Sequence, residues 1–537
     1  MSSLTQPESG IGHLTSNIGR FRVKKLFVSL FLILFVSVSF SFAQRRKPVQ
    51  VKPRPAKTVP AVKPAQTAGI EIPFVNKTLP NGLEVIVLPD NSNPIVTVEI
   101  GVRNGSFTET PELNGLSHLY EHMFFKPNLS LYVYRCERAR AERNSNYFYG
   151  AGCDETLRLK SKLGDIAYLY RLDDSGIASN ASTREEVVNY FLNTTSPNLE
   201  TGLQYMAHSI RFPTFDEDDL NNEIKVVVGE IDRNESNPFF YLDRAINDKL
   251  FFKYPSRKNP LGTRASVLAA TTEKMRLIQS RYYVPNNAAL VVTGDVDPEN
   301  VFALAEKFFG GWERREVDPF KEFPMVEHPP IPKSEGTIVE KAIDSNGQEN
   351  VFIQIGWHGP SIGKDDAATY SADVFSYILS QPDSRFQRAL IDSGLAASAG
   401  IGYYTQRNVG PIQVTLVTSP ERARAAVRAV YAEIANFDKP NYFSDDELEN
   451  AKTILESRDL FEREKLSEYA HTLSFWWSST GIEYFRGYHK NLRAVSRPEI
   501  TRYVKTYIQG KNHIAVALVS PRARAAANLT EADLIGK

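Results

Sequence analysis

Short runs of alternating apolar and polar residues recur along the chain, separated by longer stretches with helical spacing. Ile95-Val-Thr-Val-Glu-Ile-Gly101 alternates like a half-buried strand. Val351-Phe-Ile-Gln-Ile-Gly356 has the same shape, its glycine 255 positions after the first. Two further pairs follow in the same order. FDEDDLNNE (215–223) resembles FSDDELENA (443–451), an offset of 228, and YYVPNNAALVVTGD (282–295) resembles YIQGKNHIAVALVS (507–520), an offset of 225. Three local similarities in one order predict two related halves. The offset falls by roughly 30 after the first pair, so the first half should carry about that many extra residues between Gly101 and Phe215. The natural place is 127–165, PNLSLYVYRCERARAERNSNYFYGAGCDETLRLKSKLGD. The halves then run over 70–312 and 336–525, with a proline-bearing linker at 313–335 and a tail at 526–537.

The amino-terminal region breaks this pattern. Arg20, Arg22, Lys24 and Lys25 precede an uncharged apolar run, Leu26 to Ala43, and Ser41-Phe42-Ala43 fits a cleavage site. Residues 1–43 are therefore read as a signal peptide or an amino-terminal membrane anchor, which implies export to the periplasm or beyond. Residues 44–69 hold seven basic residues, five prolines and no acid, the composition of an extended tether.

Composition narrows the function classes. A chain of 537 residues is too long for one ordinary core. Lys+Arg and Asp+Glu are both 63, so no global basic field points to nucleic acid. Cys136 and Cys153 both fall in the extra segment. In an oxidising compartment they could close a loop worth about 3 kcal/mol.

The candidate chemistry starts at GLSHLYEHMFF (115–125). His118 and His122 are four apart and share a helix face, with Glu121 beside them. This is the reversed form of the HExxH zinc motif, expected by chance on the order of once per hundred chains of this length. A helix with incidental histidines is the alternative. A catalytic zinc takes three protein ligands and leaves a position for water. NNEIKVVVGEIDRNE (221–235) offers Glu223 and Glu230, seven apart and hence on one face, among apolar residues. Buried carboxylates are costly unless they coordinate or hydrogen-bond.

HLYEH followed by E-x6-E resembles the insulinase/pitrilysin family of inverzincin metallopeptidases. SNASTREEVVNYF (179–191) resembles the strand after that family's motif helix. FPTFDEDDLNNEIKVVVGEI (212–231) resembles the helix with its third ligand, and YYVPNNAALVVTGDVDPENVFALAEKFFGGW (282–312) the close of its first half. The resemblance implies an α+β fold like that of mitochondrial processing peptidase, each half an antiparallel sheet with helices packed on one face. It implies one zinc ion per chain held by His118, His122 and Glu230, with Glu121 as general base. Glu223 would orient the site from outside the ligand set. Asn180 and Ala181 would lie on an edge strand that takes peptide by β-addition. Two halves from each chain would enclose a chamber for unfolded peptides.

The second half departs from this pattern. At the same offsets, His118, Glu121 and His122 map to Asp373, Ser376 and Tyr377, and Glu230 maps to Arg458. Family members often carry an Arg and a Tyr that hold the scissile peptide. The matching stretch here, ALIDSGLAA (389–397), has Leu390 and Ala397 instead. Tyr403, Tyr404 and Arg407 are possible substitutes. The chain thus resembles the zinc-bearing partner of two-chain members, which predicts a related subunit with the Arg/Tyr pair, or else a homodimer. The rival class is a non-catalytic assembly or binding subunit. SFWWSSTGIEYF (474–485) is read as core packing, and His358 as a histidine without an evident partner.

Overall fold

The computed structural model describes residues 72–162, 176–343 and 349–537. The expected signal segment (1–43) and tether (44–69) lie outside these residues, as do 163–165 of the extra segment.

Among the described residues, eleven strands form two sheets. The first holds β1 (Val75–Thr78), β2 (Glu84–Pro89), β3 (Ile95–Val102), β4 (Ala178–Thr183), β5 (Val188–Thr195) and β6 (Ala288–Gly294). The second holds β7 (Glu335–Glu340), β8 (Val351–His358), β9 (Ser398–Tyr403), β10 (Pro411–Thr418) and β11 (Ile514–Val519). Their orders are β1-β2-β6-β3-β5-β4 and β7-β11-β8-β10-β9. Without β1 the two correspond strand for strand, so the halves are related in topology as well as in sequence.

The sheets are mixed rather than purely antiparallel. β2 pairs with β6, and β7 with β11, in parallel. Each such pair joins the start of a half to its end, and a connection that long lets a strand return in either direction.

Helices used below are α1 (Leu116–Phe124), α2 (Leu129–Ala141), α3 (Ser145–Gly150), α4 (Cys153–Arg158), α5 (Leu199–Arg211), α6 (Glu217–Glu235), α7 (Pro238–Leu250), α8 (Asp366–Ser380), α9 (Asp445–Glu462) and α10 (Leu466–Ser479). The first half's own helices cover one face of its sheet. Val85 and Val87 of β2 pack there with Leu119 and Met123 of α1, Leu203 of α5 and Val227 of α6. Ile86 and Leu88 point the other way, into a second core with Tyr469, Leu473 and Trp477 of α10. That helix belongs to the second half. Reciprocally, Leu242, Ile246 and Leu250 of α7 pack on Val516 and Leu518 of β11. Helices therefore cover both faces of each sheet, one face by exchange, and not one face as expected.

Sequence dictates this double coverage. Every residue of β6 is buried, the pattern of a strand covered on both sides. Gly101 and Gly356 occupy equivalent places and admit the exchanged helices. A Cβ at Gly101 would lie 2.3 Å from Ser474 Oγ, and one at Gly356 would lie 3.2 Å from Ile246 and Leu250. Glu99, fully buried on β3, faces α10. Its carboxylate bonds His471 Nδ1 and accepts from Asn189 Nδ2 at 2.9 Å.

Within the extra segment, α2, α3 and α4 form a lobe directly after the α1 region. A disulfide joins Cys136 to Cys153, both buried beside Val133 and Ala139. The last twelve residues, expected as a tail, belong to the second half. Leu529 and Leu534 enter its core and Tyr431 Oη donates to Leu534 O at 2.7 Å. Three buried apolar residues in so short a stretch, Ala527 with the two leucines, are enough to anchor it.

Candidate metal centre

The site is built on two helices and one strand edge. α1 starts behind Gly115, whose φ of +86° and closeness to Gly262 Cα (2.7 Å from a Cβ placed there) exclude larger residues. Glu109 supplies the cap. Its buried carboxylate accepts from the backbone N–H of Gly115 and of Ser117, both at 2.7 Å, and from Asn114 Nδ2 at 3.1 Å. These bonds satisfy orphan amides of the first turn and fix where α1 begins. Burial still raises the Glu109 carboxyl above its ordinary range.

One turn apart on α1, the rings of His118 and His122 meet edge to face with centroids 4.8 Å apart. Glu230 of α6 comes across to both. Its Oε2 lies 3.6 Å from His118 Nε2 and 3.8 Å from His122 Nε2. One ligand atom from each of the three lies within 4.8 Å of the other two. Neither His–Glu approach is a hydrogen bond, so three electron-pair donors converge without satisfying one another. Tetrahedral zinc with bonds of about 2.0–2.1 Å would place its ligand atoms about 3.3–3.4 Å apart, close to the two His–Glu separations. The donor set of two imidazoles and one carboxylate fits zinc. His118 and Glu230 side chains keep 12% and 27% of their surface, which leaves a side open to water and substrate.

The surroundings tune these groups. Burial pushes the His118 imidazole down to about 3, with His122 adding to the effect, so it is neutral and able to donate. Its Nδ1 is buried without a hydrogen-bond partner. His122 Nδ1 instead bonds Glu223 Oε2 at 2.9 Å, and Lys126 pairs with the other oxygen. Burial opposes the Glu223 charge, but Lys126 and His122 outweigh it and hold the carboxyl below its ordinary value. Glu223 therefore fixes the His122 ring from behind.

Glu121 points toward β4. Thr183 Oγ1 donates to its Oε2 at 2.5 Å. Burial pushes this carboxyl up to about 7, against the Thr183 bond and the charge of His122 and with the help of Glu230. A group titrating near neutrality can both take and return a proton. Glu109, Thr183 and Lys126 escaped the sequence reading. Lys126 lies just past the end of α1, in the turn after Phe125, where helical spacing no longer applies. Thr183 and Glu109 act through tertiary contacts that no spacing shows.

Asn180 and Ala181 lie on β4, the edge strand of the first sheet, paired with Phe191 and Tyr190 of β5. Asn180 is exposed and its Oδ1 accepts from Ala181 N at 2.9 Å.

In the second half, α8 and α9 take the places of α1 and α6, but the ligands are gone. Arg458 Nη1 donates to Tyr377 Oη at 2.5 Å, a direct bond at the metal positions. Asp373 turns away and accepts from Tyr488 Oη at 2.6 Å, and burial pushes it up to about 7. Ser376 bonds only the backbone of Ala372, at 2.8 Å. Leu390 is buried in the core, and Ala397 N donates to Val417 O at 2.8 Å. Tyr403 Oη donates to Pro360 O at 3.0 Å, Arg407 Nε to Ser478 O at 3.2 Å, and Tyr404 stacks on Phe475. Trp477 is core and Trp476 stacks on Phe485 at 5.2 Å. His358 does have a partner, the carbonyl of Leu250, 2.7 Å from its Nε2.

Comparison with known proteins agrees with this frame. Residues 85–130 and 161–263 match the model of the insulinase family (peptidase family M16), and 269–455 match its M16 inactive domain. The first match omits 131–160, within the lobe. The zinc protease PqqE of Helicobacter pylori is 25% identical over 332 residues, 61% of this chain and 66% of that protein. The uncharacterized zinc protease YmxG of Bacillus subtilis is 24% identical over 379 residues, 70% of this chain and 81% of that one. The structure of the first half of the periplasmic protease PqqL from Escherichia coli superposes with a TM-score of 0.63 at 15% identity. It covers 87% of this chain and 97% of its own.

Proposed function

We propose, from the premise that this chain belongs to the insulinase family of peptidases (M16), that it is a zinc-dependent endopeptidase acting on peptides or unfolded polypeptides. The observation that carries the reading is the convergence of His118, His122 and Glu230, with a buried Glu121 beside them. Zinc held by these three residues would supply a Lewis acid for the peptide carbonyl and lower the pKa of a water. Glu121 takes a proton from the attacking water at its carboxylate and delivers it to the leaving amide nitrogen. Thr183 holds Glu121 toward β4, and Glu223 with Lys126 holds the His122 ring. The free edge of β4 at Asn180 and Ala181 receives an extended peptide, main chain to main chain, within reach of α1.

Leu390 and Ala397 cannot donate to a developing oxyanion. A related subunit carrying an Arg/Tyr pair, or a second copy of this chain, completes the chamber. A non-catalytic subunit that keeps its metal is the second reading, and the same two positions favour it. Export is supported by the apolar run at 26–43 and by the periplasmic relative. Among the described residues, no helix is long and apolar enough to cross a membrane.

Metal analysis of the purified full chain is the first test. One zinc per chain is expected, falling to near zero in H118A and E230Q. A metal-free native protein, or zinc unchanged in both variants, refutes the site. Cleavage of a quenched peptide by the zinc-loaded chain, with and without co-purifying partners, separates the peptidase from the non-catalytic reading.

A further inference from the structure

α9 is the second-half counterpart of the α6 helix that bears Glu230, and it presents an unusual surface. Ile454, Arg458 and Phe461 follow one another at helical spacing, Lys465 sits in the turn beyond the helix end, and together they line an open groove. Ile454 and Phe461 are 43% and 71% exposed, although each is large and apolar. At the metal positions between α8 and α9, the Arg458 guanidinium is held in place on two sides. Its Nη1 donates to Tyr377 Oη at 2.5 Å and its Nε to Glu462 Oε1 at 2.8 Å. Those bonds leave Nη2 for a ligand. Because Tyr377 Oη already accepts from Arg458, its own proton is also available to donate.

We propose that this groove binds the carboxyl-terminal end of a polypeptide whose last side chain is apolar. A guanidinium fixed in one plane by its bonds to Tyr377 and Glu462 offers its remaining N–H groups in a geometry suited to a carboxylate. Lys465 adds a second positive charge against the single negative charge of Glu462. Ile454 and Phe461 provide the apolar wall that an acidic side chain would not use. Where the first half places two imidazoles and a carboxylate for a cation, the second places a cation and a phenol for an anion. As an anchor for substrate this site rests on the peptidase reading. As a carboxylate site it does not, and its test needs neither metal nor cleavage.

The experiment uses the full chain, stripped of metal with a chelator. Fluorescence anisotropy compares a labelled octapeptide ending in leucine with the same peptide amidated at its carboxyl terminus, and with one ending in aspartate amide. The free acid should bind at least about tenfold more tightly than the amide, the effect of one charge-assisted contact. Arg458→Gln should remove most of the preference for the acid over the amide. Phe461→Ser, an exposed position that cannot upset the core, should weaken the acid several-fold and keep its preference over the amide. Equal binding of acid and amide by the native chain overturns the proposal. So does a preference undiminished in R458Q, or aspartate amide binding as well as the leucine acid. If R458Q does not fold, Lys465→Gln serves in its place, with a partial loss of the preference expected and no loss counting against the site.

Discussion

Replacing Glu121 with Gln tests the chemistry most directly. Gln is nearly isosteric and can still accept from Thr183 Oγ1, now 2.5 Å from the carboxylate. It removes a buried titratable group and creates no cavity, so folding stability should change little. His118, His122 and Glu230 are untouched, and zinc content should stay at one per chain. What disappears is proton transfer, worth about 10²- to 10⁴-fold in rate. Quenched-peptide cleavage at saturating zinc, with metal analysis of the same samples, gives both readouts. Activity within tenfold of the native chain at full zinc occupancy would refute the assignment of Glu121. Loss of zinc would show that it acts on the metal instead.

Thr183→Val sharpens the same test through pH. The Thr183 bond favours the charged form of Glu121. Without it the protonated form gains, and the carboxyl titrates higher. A net hydrogen bond of about 1 kcal/mol corresponds to a move of roughly 0.7 pH. The acid limb of activity should therefore shift toward higher pH, and an unshifted or downward limb contradicts the role given to Thr183. Bound zinc would oppose burial at Glu121 and place the limb of each protein below its own metal-free value.

Three further predictions concern the frame. His471 is raised above 6.5: burial opposes its charge, but the bond to Glu99 and the charge of Glu99 outweigh that. Its contribution to stability should be complete below pH 6.5 and be lost as pH rises through the raised value. H471Q should cost about 1–3 kcal/mol at acid pH. Thermal melts should show that difference shrinking on the alkaline side, and a constant difference would refute the linkage. The double variant C136S/C153S should lose about 3 kcal/mol from the lobe, given the 17-residue separation. Limited proteolysis should then cut within 129–158 faster and leave the two halves intact; unchanged cutting would deny the staple any role. Leu473→Ala should cost about 2–5 kcal/mol. Calorimetry should find the loss in a single transition that includes the first half, because Leu473 packs on the first sheet; a separate, unchanged transition for that half would refute the exchanged packing.

The exchange of α7 and α10 explains how far the sequence could be read. His118, Glu121, His122 and Glu230 were legible because their chemistry depends on spacing along two helices, and a helix reports its spacing directly. Glu109 and Thr183 were not, because each reaches α1 across a turn or a strand. The internal repeat found the correspondence of β3 with β8 and of α6 with α9, yet it assigned every helix to the half that encodes it. Gly101 and Gly356 already speak against that assignment. Two glycines at equivalent places in central strands mark a close approach from the uncovered face. They could not say which helix approaches. Because each half lends a helix to the other's sheet, neither sheet is covered on both faces without its counterpart, and the degenerate half is required to build the intact one. The residues at Asp373, Tyr377 and Arg458 can therefore differ from metal ligands without harm to the first half as long as α10 keeps its packing on the first sheet. The second half's fold is thus tied to the first half through that helix, whatever side chains stand at Asp373, Tyr377 and Arg458.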